Sequence, residues 1–123
     1  MKKYNNISIN NIPHNIYADV CFKENNNKKL ILFCHGFKGF KDWGAWNLVA
    51  EAFANEGFIF VKFNFSHDGI GDDNFQDFTR LDLFAQNNYS KELEDVKNVL
   101  HWIKDDEFWH EIDVDEINII GHS

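Results

Sequence analysis

The chain has 123 residues, 44% of them hydrophobic, 26% charged and only one of them proline, a make-up that fits one compact domain and excludes a disordered or collagen-like segment. Twenty Asp and Glu against twelve Lys and Arg give a formal charge of -8, which repels phosphate backbones and argues against nucleic acid as a partner. No run reaches the ~18 consecutive apolar residues of a membrane span. Met1-Lys2-Lys3 leads into a polar, Asn-rich stretch where a signal peptide has its apolar segment, so a cytoplasmic protein with no membrane partner is the expectation.

Ile7 to Ile16 is polar with scattered Ile, and Tyr17 to Phe22 reads as a strand with mixed faces, so the chain is expected to open with an antiparallel edge hairpin. Lys23 to Lys29 has turn chemistry. Leu30 to Cys34 is a short continuous apolar run, the mark of a strand covered on both faces as in a parallel sheet. His35 to Trp43 is a loop. Trp46, Val49, Ala50 and Phe53 recur at helical spacing, and Gly57 stands where a left-handed cap ends a helix running from Gly44 to Glu56. Phe58 to Phe65 is rich in β-branched and aromatic residues without a breaker, a strand.

Ser66 to Gln76 is a Gly/Asp loop, and the polar segment through Asn88 shows no period. Ser90 is the expected N-cap of a helix that carries Leu93, Val96, Val99, Leu100 and Ile103 on one face, with Glu92 and Glu94 near its positive end. It closes near Lys104-Asp105-Asp106. Phe108 to Glu116 is an acidic connection, and Ile117 to Ile120 is a strand that runs into Gly121-His122-Ser123. Strands alternating with amphipathic helices require right-handed crossovers and a mostly parallel sheet, whose active residues lie at the carboxyl ends of the strands. Two cysteines, Cys21 and Cys34, form no C-x-x-C pair and read as reduced small hydrophobes.

Two strand ends carry unusual residues. Gly121-His122-Ser123 supplies G-x-S, the first half of a turn that lifts a serine hydroxyl above a sheet, where flanking glycines relieve crowding. Taken alone it also describes a small-residue turn. His35-Gly36-Phe37 follows the neighbouring apolar strand, where acyl transfer needs a backbone N–H aimed at the developing oxyanion; Gly36 permits close approach and Phe37 is the expected donor, while taken alone this motif too describes a simple turn. Together, the two point to a nucleophilic serine at Ser123.

With ILFCHGFKGFKDWG, the loop Asn64 to Gly71 and INIIGHS in view, the chain from Leu30 to Ser123 resembles the α/β-hydrolase superfamily, in its esterase and serine-aminopeptidase-like branch. The resemblance implies a serine nucleophile at Ser123, an oxyanion donor at Phe37, supporting roles for His35, Gly36 and Gly121, structural glycines at Gly69 and Gly71, no metal and no cofactor. It also implies a small ester or short peptide as substrate. In that family the acid and the catalytic histidine follow the nucleophile, so the sequence reads as a single, front-half hydrolase domain that ends at the elbow. Two consequences are expected: a chain inactive by itself, with a catalytically inert interaction module as the alternative, and self-association through an exposed sheet edge.

The remaining candidates read as structural. His35 is expected to order its loop, His122 to point away from Ser123, and His14, His101 and His110 to be solvated or partly buried. His67, Asp68, Asp72 and Asp73 lack the order of a calcium loop and read as a polar turn. Glu92, Glu94 and Asp95 read as a solvated helix face. Phe40 and Trp43 are core aromatics or pocket lining.

Overall fold

The computed structural model describes residues 1–24 and 29–123; the turn expected over Lys23 to Lys29 falls largely on the four residues outside them. Five strands form one sheet in the order β1-β2-β4-β3-β5. The hairpin at the start is β1 (Lys2–Ile9) and β2 (Ile16–Phe22), antiparallel to each other. β2 pairs antiparallel with β4 (Ile59–Asn64), and β3 (Lys29–Cys34) lies parallel between β4 and β5 (Glu116–Gly121).

β1 reaches further than its polar sequence suggests. As an outer strand it is held by ladder bonds more than by burial, so the apolar alternation that betrays a half-buried strand is missing over Lys2 to Asn6. Its register slips between Tyr4 and Ile7, where Asn6 takes φ 56° and its N–H donates to Asp19 Oδ1 at 2.8 Å. Asn tolerates this left-handed conformation better than most side chains.

Alternate residues of the parallel strands feed two cores. Ile31, Phe33 and Phe60 face α1 (Trp46–Asn55), whereas Leu30, Leu32, Ile59 and Val61 face α3 (Tyr89–Asp105) with its Val99, Trp102 and Ile103. The β3-α1-β4 crossover and the return from β4 to β5 thus cover opposite faces of the sheet, as right-handed connections running in opposite directions must. The crevice between them opens at the carboxyl ends of the strands.

Gly57 stops α1 as its position foretold. With Gly57 at φ 95°, its N–H donates to Ala54 O at 3.0 Å and the Phe58 N–H to Phe53 O at 3.1 Å. Phe53 and Phe58 rings meet at 5.9 Å, the apolar contact that accompanies such a cap.

α3 differs from expectation at its start. The cap is Asn88, whose Oδ1 accepts from the Lys91 N–H at 2.9 Å, and Ser90 lies inside the first turn. Leu93 leaves the apolar stripe and is 71% exposed, while Asp95 is buried. A further helix, α2 (Leu81–Gln86), occupies the segment without a period; at six residues it is too short to show one. The acidic connection contains a 3-10 turn, Glu107–Trp109, whose Trp109 packs edge-on against Trp102 at 5.2 Å. β5 is the outer strand opposite β1, and Ile119 on it is 54% exposed. Among the described residues no helix is long and apolar enough to cross a membrane.

Candidate active site

The residues after β3 and after β5 meet. The ladder between the two strands runs to Cys34 against Gly121 and is extended by the His122 N–H donating to Cys34 O at 3.0 Å. Beyond that bond, Gly36 lies directly on the other segment. A Cβ at Gly36 would stand 2.6 Å from His122 O, 2.7 Å from the Ser123 carbonyl carbon and 3.0 Å from Ser123 Cα, all backbone atoms that cannot swing aside. Only glycine fits this contact. A Cβ at Gly121 would meet nothing within 4 Å, so the crowding expected at that glycine is not found among the described residues. Gly36→Ala is therefore expected to cost about 2 kcal/mol and to speed exchange of the His122 N–H. Gly121→Ala is expected to stay within ~0.5 kcal/mol. Equal stability losses in a denaturation series would contradict the asymmetry.

A tight turn follows Gly36. The Gly39 N–H donates to Gly36 O at 2.9 Å and Lys38 adopts φ 61°, the left-handed third position of a type II turn. The turn projects Phe37 outward; its ring is 79% exposed, lies 5.5 Å from that of Phe84 and carries Lys38 Nζ at 5.6 Å. Among the described residues no acceptor is hydrogen-bonded to the Phe37 N–H.

Beneath the turn lies His35, buried and fully engaged. The Phe65 N–H donates to His35 Nε2 at 3.3 Å, which assigns the lone pair to that nitrogen; Nδ1 then bears the proton and donates to Gly36 O at 3.0 Å. Asp68 Oδ2 lies 3.1 Å from Nε2, and burial pushes the Asp68 carboxyl up, against the opposing pull of His35. Its Oδ1 accepts from the Ile70 N–H at 2.9 Å. His35 thus orders the loop, tying the segment after β3 to the one after β4.

That second segment is more than a polar turn. His67 and Asp68 are buried, whereas Asp72 and Asp73 are exposed. Ser66 Oγ lies 2.7 Å from His67 Nδ1 and donates to Asp95 Oδ2 at 2.8 Å, and the Ser66 N–H donates to the same oxygen at 2.8 Å. Asp95 is therefore a buried anchor of the loop and not part of a solvated face. Burial lowers His67, helped by Lys91 and by His14, whose ring lies 5.4 Å away. Among the described residues no group of acidic, His and Cys side chains could hold a metal ion.

His122 turns its ring onto Trp46, 5.0 Å away, with its backbone beside Ser123. Phe40 is buried against Phe78 at 5.6 Å, while Trp43 is exposed; neither lines the cleft described next. Both cysteines are free, and burial pushes the Cys34 thiol up to about 11, with the Glu92 charge adding to it.

Ser123, Gly36 and Phe37 border a cleft of about 650 Å³ that extends over Phe65 and Phe84 to Asn87, Tyr89 and Glu92. Ser123, Gly36 and Phe37 were legible in the sequence as site residues, whereas Phe84, Asn87 and Tyr89 carried no signal, since the segment before α3 is too short to show a period.

No protein-family model matches the chain, and no curated protein matches it in sequence. Solved structures do. Est1E from Butyrivibrio proteoclasticus, solved with ferulic acid bound, matches with a TM-score of 0.73 at 18% identity over 95% of this chain and 42% of its own. Dienelactone hydrolase from Anabaena variabilis matches at 0.72 and 12% identity over 99% and 52%. An alpha-beta serine hydrolase homologue from Coxiella burnetii matches at 0.64 and 21% identity over 95% and 50%. The chain spans about two fifths to half of these structures, and over that span it has the α/β-hydrolase fold.

Proposed function

We propose that the chain is the nucleophile-bearing part of a serine hydrolase that cleaves a carboxylic ester, or a short peptide or amide, through an acyl-enzyme. Ser123 Oγ bonds to the carbonyl carbon as a base takes its proton. The negative charge that develops on the carbonyl oxygen is met by the Phe37 N–H, with His35 and Gly36 holding the turn and Gly121 leading into the serine. Collapse of the tetrahedral intermediate breaks the bond to the leaving group, which departs with the proton, and water repeats the sequence on the acyl-serine. The reading uses no cofactor. It requires a histidine base from outside the described residues, since none of theirs is hydrogen-bonded to Ser123. The proposed partners are a small ester or peptide and, at the free β5 edge, a second copy of the chain.

The observation that carries this reading is the backbone contact of Gly36 with His122 and Ser123, which sets an N–H-bearing turn against a strand-end serine. The test removes the need for a base. In Ser123→Cys the thiolate is itself a strong nucleophile, while Cys21 is buried and its thiol, like that of Cys34, is raised by burial. p-Nitrophenyl acetate is expected to acylate this variant about 10²-fold faster than a free thiol at equal thiolate concentration, the worth of one oxyanion donor. Adding Phe37→Pro deletes the N–H at a turn position where proline is favoured, and the advantage is expected to vanish. Acylation at the free-thiol rate, unchanged by Phe37→Pro, would remove both residues from these roles.

A further inference from the structure

The two outer strands of the sheet differ in how they treat their edges. β1 carries the register slip at Asn6 and, at its start, Lys2 and Lys3, which pair with Glu24 and Glu51. A bulge and lysines are the means by which an edge is blunted against another strand. β5 has no lysine, proline or bulge over Glu116–Gly121 and keeps an unbroken register with β3. Among the described residues no strand pairs with its outer side.

The phase of the β3–β5 ladder decides which groups face outward. In a parallel pair, successive residues of one strand turn both of their backbone groups alternately to one side and to the other. The His122 N–H donates to Cys34 O, so Asn118, Ile120 and His122 address β3. Ile117, Ile119 and Gly121 therefore direct their N–H and C=O groups to the open side. Ile117 and Ile119 also stand on the α3 face, on the wall of a groove of about 630 Å³ that includes Leu100, Ile103, Ile112 and Val114.

Charge selects the direction of pairing. Asp113, Asp115 and Glu116 sit together at the start of β5, and His122 follows its end. Parallel pairing of two copies would set acids on acids in a chain whose charge is already -8, whereas antiparallel pairing sends the two acidic ends apart.

We propose that a second copy of this chain adds to β5 antiparallel, about a two-fold axis at Ile119, so that the two sheets become one. In that register Ile119 pairs with Ile119 of the second copy and Ile117 with its Gly121, each pair exchanging both backbone hydrogen bonds. An axis at Asn118 or at Ile120 instead leaves Gly121 or Ile117 facing residues outside β5. With the axis at Ile119, the two Ile119 side chains meet on the α3 face, and Glu116 of one copy lies across from His122 of the other. The proposal rests on the reading above that a second copy binds at this edge, and not on the role of Ser123.

The test is the mass of the 123-residue chain in solution, read by sedimentation. A residue on a two-fold axis faces itself, so Ile119→Lys and Ile119→Glu are each expected to weaken the wild-type dimer at least about tenfold through like charges. An equal mixture of the two variants is expected to recover a dimer holding one of each. Ile119→Pro deletes an outward N–H and leaves the bonds to β3 in place, so it is expected to be a monomer in which the His122 N–H stays protected from exchange. A wild-type chain that remains monomeric up to millimolar concentration overturns both the second copy and its register, without any variant. A dimer that survives Ile119→Lys or Ile119→Pro, or variants that do not pair when mixed, keeps the second copy and overturns the register. If the expected pattern holds while Ser123→Cys reacts as a free thiol, the interface stands and the nucleophile reading falls. Rapid acylation of Ser123→Cys in a chain that never dimerises does the reverse.

Discussion

Purified as 123 residues, the chain is expected to hydrolyse p-nitrophenyl esters at a rate that Ser123→Ala does not change, about 10⁶-fold below a complete serine hydrolase in kcat. The reason lies in where its six histidines are held. His35 is committed on both ring nitrogens to Gly36 O, Asp68 and the Phe65 N–H, and moving it would dismantle the oxyanion turn. The His122 ring packs on Trp46. His67 is paired with Ser66 and meets the His14 ring edge-on. His101 lies 3.9 Å from Asp105 on the exposed side of α3, and His110 is exposed beyond the 3-10 turn. Without a base the serine hydroxyl stays protonated and the oxyanion donor stabilises a charge that does not form. Ester turnover by the wild-type chain that disappears in Ser123→Ala would show that one of these side chains leaves its partners to serve Ser123.

The features that could be read from the sequence are those decided within a few residues. The apolar run Leu30 to Cys34, the helical spacing from Trp46 to Phe53 and the Gly57 cap each depend on neighbours in the chain, and the fold bears them out. So does the placement of the two glycine motifs at strand ends, because a parallel sheet puts the carboxyl ends of its strands on one side. What escaped notice is decided by distant partners. Asp95 looks like any helix-face acid until Ser66, 29 residues away, is folded against it, and Asp68 looks like a turn residue until His35 arrives from 33 residues upstream. The α3 cap shows the same limit on a smaller scale: Asn88 and Ser90 both suit the role by type, and only the Lys91 N–H on the Asn88 side chain decides between them. Charged or polar residue types predict exposure on average, and sites are built where that average is broken.

Asp19→Ala is expected to lower stability by about 3–5 kcal/mol, the usual consequence of stripping one partner from a buried ion network. Asp19, on β2, accepts from Lys41 Nζ at 3.0 Å and from Lys62 Nζ at 2.7 Å, besides the Asn6 N–H. Asp42 takes Lys41 at 2.6 Å and Lys62 at 3.3 Å, so two ammonium groups balance two carboxylates. Lys41 is only 1% exposed, and loss of Asp19 leaves two nearly buried ammoniums facing one carboxylate. Asp19→Ala combined with Lys62→Met restores the balance and is expected to recover part of the loss. Acid should act in the same direction. Burial pushes Asp42 up, but the hydrogen bonds and charges of Lys41 and Lys62 outweigh it and hold its carboxyl below the usual range. Its contribution is therefore present above the ordinary carboxylate value and is lost as pH falls through the depressed one. The network also reaches the candidate site. The Lys41 N–H donates to Asn64 Oδ1 at 2.7 Å, pinning the far end of the loop that begins at His35 to the last residue of β4. In Asp19→Ala, amide exchange over residues 36–39 should accelerate along with the fall in stability measured by urea denaturation. A loss below ~1 kcal/mol would mean that water reaches the lysines, and exchange unchanged over 36–39 would mean that the turn is held by His35 alone.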